Sequence, residues 1–181
     1  ELDECGVCAG NGPAENFTCD GTFKPETKDA LQAAVDLWVS SPESTEATYG
    51  HISDWDVSLI TNMSYLFASK TTFNSDISDW DVSNVTNMEL MFREASSFNG
   101  DLSSWDVSNV TNMKEIFTDA QSFEGVGLGN WDVSNVTNIQ GMTRVFEGTS
   151  FNQDISSWDV SNAVNMFGMF RYNTSFNQDI S

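Results

Sequence analysis

The sequence is short of positive charge. Its 181 residues hold 7 Lys and Arg against 27 Asp and Glu, with a single His, for a formal net charge of -20. A surface so acidic repels nucleic-acid phosphates and anionic membranes. That excludes both as partners and leaves divalent cations, basic partners or solubility as its uses. Cysteine is confined: Cys5, Cys8 and Cys19 all stand near the start, and the rest of the chain has none. Without a second His or a later Cys, no nucleophile constellation of the Cys–His or Ser–His kind can be assembled. No apolar run approaches the roughly 18 residues that a bilayer crossing needs, and no charged-then-apolar leader opens the chain. What is plentiful is aromatic: 12% of residues are Phe, Trp or Tyr and 39% are hydrophobic, which is not the composition of a disordered chain.

The aromatics are periodic. Trp55, Trp80, Trp105, Trp131 and Trp158 are spaced by 25, 25, 26 and 27 residues, and each opens nearly the same phrase: WDVSLITNM, WDVSNVTNM, WDVSNVTNM, WDVSNVTNI and WDVSNAVNM. The extra residues fall between the fixed blocks, at Gly125 to Gly129 and between Ile139 and Phe151, and Phe146 takes the Phe column where Thr143 has displaced it. Such repetition at a fixed period marks a stacked architecture in which each unit buries its apolar face on the next.

Spacing within a unit predicts its local structure. Trp80 and Val82 alternate with Asp79, Asp81 and Ser83, the period of a short strand buried on one face. Met88, Met91, Phe92 and Ala95 fall at i, i+3, i+4 and i+7, the spacing of about two helical turns, with Asn87 placed to cap them. Stacking sets the five Trp in a core ladder. Ahead of the repeats, residues 26–39 carry Ala30, Leu31, Ala34, Val35 and Trp38 on one helical face, with Thr27 as N-cap and Pro42 beyond the end. This helix is suited to cover the first coil.

The phrase I-x-x-W-D-V-S-N-V-T-N-M-x-x-M-F-x-x-A-x-x-F-N-x-D resembles the surface-protein repeat of about 25 residues found in bacterial surface proteins and in single-celled algae, related to the BspA-type leucine-rich repeats. The match runs from about His51 to Ser181. The resemblance implies a leucine-rich-repeat-like, right-handed solenoid of short parallel strands with short helical segments and an N-terminal capping helix. It also implies an extracellular, cell-surface location and a scaffold or adhesive role. The organisation expected is a Cys/Gly/Asp-rich segment (1–23), a capping helix with linker (24–50) and five repeats (51–75, 76–100, 101–126, 127–153, 154–178), with Asp179-Ile180-Ser181 opening a sixth. No cap follows the fifth coil, an arrangement expected of a fragment of a longer repeat protein, of end-to-end stacking with another copy, or of a frayed last coil.

The opening stretch ELDECGVCAG resembles the D-x-C-G-V-C-G modules of extracellular proteins. Cys5, Cys8 and Cys19 are disulfide candidates, and their odd number leaves one over. Zinc is disfavoured because a fourth soft ligand is missing and His51 lies far off. Calcium is the one metal the acids suit, at Asp3, Glu4 and Asp20 or along the column Asp56, Asp81, Asp106, Asp132 and Asp159; no cofactor is required. Carboxylates repeated at ~4.8 Å repel each other by roughly 0.8 kcal/mol per pair even in water, so the column calls for counter-ions or hydrogen bonds from neighbouring Ser and Asn. A ladder without a unique pair does not fit glycosidase chemistry, and no catalytic residue is assigned. N-x-S/T sequons make Asn16, Asn62, Asn84, Asn109, Asn135 and Asn173 glycosylation candidates, with Asn16 and Asn173 favoured because they lie outside the regular phrase.

The function expected is a non-catalytic extracellular structural or adhesive surface scaffold within a larger or filamentous assembly. The alternative is a glycan- or protein-binding module assisted by calcium. Expected partners are other copies, other surface proteins or glycans, with no nucleic acid and no direct membrane insertion.

Overall fold

A computed structural model describes residues 14–180. Helix α1, Lys28–Ser40, begins where Thr27 Oγ1 accepts the Ala30 N–H at 3.2 Å, a cap that contributes about 1 kcal/mol. Leu31, Ala34, Val35 and Trp38 form its buried face. Pro42 then opens helix α2, Pro42–Tyr49, at a position whose missing N–H would have no helical partner in any case. Gly50 ends α2 at φ 73, in the left-handed region.

α1 lies against the first repeat. Lys28 Nζ donates to Ser64 Oγ at 2.7 Å, Gln32 Nε2 to the Leu66 carbonyl at 3.0 Å and Trp38 Nε1 to Ser75 Oγ at 2.9 Å. Lys70 pairs with Asp36 at 2.5 Å.

The repeats themselves are built otherwise than the leucine-rich-repeat-like solenoid expected of them. Among the described residues there is no β-strand and no sheet. Only isolated bridges occur, and beyond α1 and α2 the helical elements are single 3-10 turns at Ile52–Asp54 and Leu128–Asn130. The expected strand at Trp80–Val82 fails because the following backbone is used locally. Asp81 Oδ1 accepts the Ser83 N–H at 3.0 Å, and the Val85 N–H turns back to the Val82 carbonyl at 2.9 Å.

The expected helical segment fails for a different reason. Leu90 and Glu94 stand at φ 59, inside the left-handed region, as do Tyr65, Ser69, Glu115, Asp119, Arg144, Gly148, Gly168 and Tyr172. The chain forms overlapping turns: Met91 N–H to Met88 carbonyl, Arg93 to Leu90, Ala95 to Phe92. The intervening N–H groups of Met88, Leu90, Phe92 and Glu94 donate at 2.8–2.9 Å to the carbonyls of Asn112, Lys114, Ile116 and Thr118 in the next repeat. An α-helix keeps its interior N–H groups for itself. This chain of turns spends alternate ones on its neighbour, with the same apolar spacing.

Donation runs forward on that edge and backward on the other. The indole N–H of Trp80, Trp105, Trp131 and Trp158 reaches the carbonyls of Ile52, Ile77, Leu102 and Leu128 in the preceding repeat at 2.8–3.1 Å. The side-chain amides of Asn84, Asn109, Asn135 and Asn162 reach the carbonyls of Ser58, Ser83, Ser108 and Ser134 at 2.7–2.9 Å.

Between the two edges runs a double column of phenylalanines. Within repeats the rings of Phe67–Phe73, Phe92–Phe98, Phe117–Phe123, Phe146–Phe151 and Phe170–Phe176 stack at 3.7–4.2 Å. Phe146 fills the irregular fourth unit, 6.0 Å from Phe117 and 5.7 Å from Phe170. All five ladder Trp are buried. Each such aromatic contributes up to roughly 4–6 kcal/mol by area.

Candidate functional site

The feature repeated most faithfully on the outside is the Asp that follows each Trp. Its Oδ1 accepts the backbone N–H two residues on: Asp56 from Ser58, Asp81 from Ser83, Asp106 from Ser108, Asp132 from Ser134 and Asp159 from Ser161, each at 3.0 Å. At Asp81 the Ser83 hydroxyl adds a second bond at 2.6 Å. Hydrogen bonds from the serine hydroxyl and then the serine N–H hold the carboxyls of Asp106, Asp132 and Asp159 below the usual carboxylate range. At Asp132 the neighbouring Asp106 and Asp159 push the other way and lose to the serine. Burial pushes Asp56 up, but Lys24 at 2.7 Å, together with Ser58, brings it below its ordinary value.

A second column, Asp76, Asp101 and Asp154, makes the same clasp with Ser78, Ser103 and Ser156 at 2.8–3.0 Å. His51 stands at the head of this column and imitates the aspartates, with Nδ1 accepting from Ser53 N and lying 2.8 Å from Ser53 Oγ.

The metal candidates separate into two groups. Asp3 and Glu4 lie outside the described residues, as do Cys5, Cys8 and the D-x-C-G-V-C-G stretch. Asp20 is described: its carboxylate accepts from the Thr18 hydroxyl and from the Thr22 N–H, closing a turn. Cys19 is disulfide-bonded. Among the described residues no three His, Cys, Asp or Glu side chains converge to hold a metal ion.

The sequons divide by the state of the amide nitrogen that a glycan would occupy. Asn84, Asn109 and Asn135 donate it to the preceding repeat. Asn173 donates it to Thr149 Oγ1 and the Phe151 carbonyl. Among the described residues, Asn62 and Asn16 use only their side-chain oxygen, which accepts from Ser64 N and Glu26 N respectively. Asn62 belongs to a column with Asn87, Asn112, Asn138 and Asn165, each closing a turn onto the N–H two residues on.

Two features escaped the sequence. In repeats 3 to 5, Arg144 lies 3.3 Å from Glu147 and 3.9 Å from Glu115, and Arg171 lies 4.0 Å from Glu147. The broken phrase around Thr143 is the only signal that this edge departs from the rest. The second is an exposed apolar face on repeat 5, where Val164, Phe167 and Tyr172 are 62%, 62% and 69% exposed. No described helix is long and apolar enough to cross a membrane.

Comparison with curated proteins finds no match, and comparison with solved structures finds none either. A family model does match, over residues 39–144 and again over 126–181, most of the chain and all of its repeats. The chain therefore belongs to the family described as Mycoplasma protein of unknown function, DUF285.

Proposed function

We propose that the chain is a non-catalytic structural and adhesive scaffold of the extracellular cell surface, offering the same contact in every repeat. The observation that carries this reading is the equivalence of the outer Asp-x-Ser clasps from Asp56 to Asp159. A carboxylate tied to a serine N–H is fixed in place and stays charged. Repeated at Asp81, Asp106, Asp132 and Asp159, with Asp56 at the head of the column paired to Lys24, it presents a periodic acidic face suited to many weak contacts summed by multivalency. Acid–base catalysis instead calls for one pair of groups in different environments. The surface location is supported by the likeness of the WDVSNVTNM phrase to surface-protein repeats, and membership of a Mycoplasma family of unknown function is compatible with it.

Immunogold labelling of intact source cells with an antibody to the repeat tests the location. Label on the outer surface is expected, and label that appears only after permeabilisation sinks the reading. Glycan-array screening in calcium and in chelator tests the role. A chelator-sensitive signal confined to one sugar class would replace the scaffold with a calcium-assisted binding module.

A further inference from the structure

Repeat 4 is the unit whose chain takes a detour. Phe146 comes 15 positions after Trp131, whereas the matching Phe comes 12 positions after Trp55, Trp80, Trp105 and Trp158. Bridges join Asn62 to Asn87 and Asn87 to Asn112, and among the described residues none joins Asn112 to repeat 4. The Met113 N–H, which in register would reach Asn138, donates to the Gly141 carbonyl at 2.9 Å instead. The detour is pinned at both ends. Asn138 N–H donates to the Thr111 carbonyl at 3.1 Å and Gly141 N–H to the Asn138 carbonyl at 2.8 Å. A side chain at Gly141 would come within 2.7 Å of Val136 Cγ1. Ile139 is left 71% exposed.

Beside the detour, on the outer edge of repeats 3 to 5, lies a cleft of about 290 Å³ lined by Lys114, Glu115, Gln140, Arg144, Asn165 and Phe167. That is close to the lower bound of about 300 Å³ for small-molecule sites, room for one ring. Its polar groups are largely unspent. Lys114 is taken by Glu89 at 3.1 Å. Arg144 is held by ion pairs, Nε 3.3 Å from Glu147 and Nη1 3.9 Å from Glu115, but among the described residues its Nη groups make no hydrogen bond. The Glu115 carboxylate, the Gln140 amide and the Asn165 Nδ2 likewise make none. The Phe167 ring shares the cleft with Arg144, whose guanidinium carbon lies 6.0 Å from its centroid.

We propose that this cleft binds a single neutral sugar ring through its vicinal hydroxyls. Each hydroxyl both donates and accepts, so a pair of them suits a site that offers an unspent guanidinium fork beside an unspent carboxylate. Phe167 receives the C–H face of the ring, and the amides of Gln140 and Asn165 reach the remaining hydroxyls. An anion is the wrong ligand. Glu115 and Glu147 offset Arg144, Glu89 offsets Lys114, and the chain as a whole carries -20. The site is single and belongs to the irregular unit, so it does not rest on the repeated acidic contact proposed above.

The test titrates the full chain with the methyl glycosides of glucose, galactose and mannose, in chelator, and follows backbone amides by NMR. Saturable shifts at Glu115, Gln140, Arg144 and Phe167 are expected with at least one of them. Arg144→Lys keeps the charge over Glu147 and loses the fork, and Glu115→Gln keeps the shape and loses the charge. Each is expected to weaken binding by at least about fivefold, as is Phe167→Ala, while Arg93→Lys in the regular repeat 2 leaves it unchanged. Native amide positions away from the cleft identify the variants as folded. No shift with any of the three glycosides overturns the proposal. So do shifts spread equally over the matching positions of repeats 1 and 2, affinities that all three cleft variants leave unchanged, or tighter binding of glucuronate than of any neutral glycoside.

Discussion

Tyr65 separates a chain of turns from a helix by a change of sign. Its φ is 64, and its side chain is 53% exposed. Comparing Tyr65→Ala with Tyr65→Gly removes the ring in both variants and leaves only the backbone to differ. In the left-handed region Ala carries a penalty of about 1–2 kcal/mol that Gly does not. Gly gives back about 0.5–1 kcal/mol through the freedom it loses on folding. The Gly variant should therefore be the more stable, by up to about 1.5 kcal/mol. Were this segment an α-helix, as its apolar spacing predicts, Gly would be the less stable by about 0.8–1.0 kcal/mol. Ala33, exposed in α1, provides the control, and Ala33→Gly should cost about 1 kcal/mol. Urea denaturation followed by Trp fluorescence measures all four proteins. Tyr65→Gly unfolding at lower urea than Tyr65→Ala would refute the turn assignment.

Other perturbations probe other links. Trp105→Phe removes the indole donor to the Ile77 carbonyl at 3.1 Å and part of a buried ring; a loss of about 2–3 kcal/mol in denaturation is expected. Gly125→Ala places a methyl against the Phe151 and Phe123 rings at φ 66 and should cost about 2–5 kcal/mol, read as a fall in Tm. The lowered carboxyls of Asp106, Asp132 and Asp159 contribute stability that is full above their ordinary value of 3.8 and lost as pH falls through their depressed values. Tm should therefore drop between pH 4 and pH 2, less so in Asp106→Asn, and a flat profile would count against the clasps. In a glycosylating host, mass spectrometry should find glycan at Asn16 and Asn62 in preference to Asn84, Asn109, Asn135 and Asn173, whose amide nitrogens are engaged.

Side-chain burial was legible in the sequence; backbone path was not. Thr27 and the face of Leu31, Ala34, Val35 and Trp38 announce α1 because capping and 3.6-residue periodicity are local properties. The Trp and Phe columns, with Phe146 as the substitute in unit four, follow from the period alone. The strand and the helix within each unit were wrong because apolar spacing reports which residues are buried and is silent on the sign of φ. Met88, Met91 and Phe92 are buried in either conformation, while Leu90 and Glu94 in the left-handed region leave no mark in residue type. The acidic column was visible, but not that Ser83, Ser108 and Ser134 close it. The bonds of Asn173 to Thr149 and Phe151 were not legible because they are contacts made across the stack.

The two opposed directions of donation bear on how such a chain changes length. Each internal repeat receives from both neighbours and gives to both, through the same columns. Excising or duplicating one whole unit between Trp55 and Trp105 leaves each donor before an acceptor of its own kind. No compensating substitution is needed, so recombination between identical phrases yields folded products at once. Every unit gained extends the phenylalanine column by a further 5.2–6.0 Å. The length of the stack is then set by copy number and can be altered in whole steps while the chemistry of each column stays fixed.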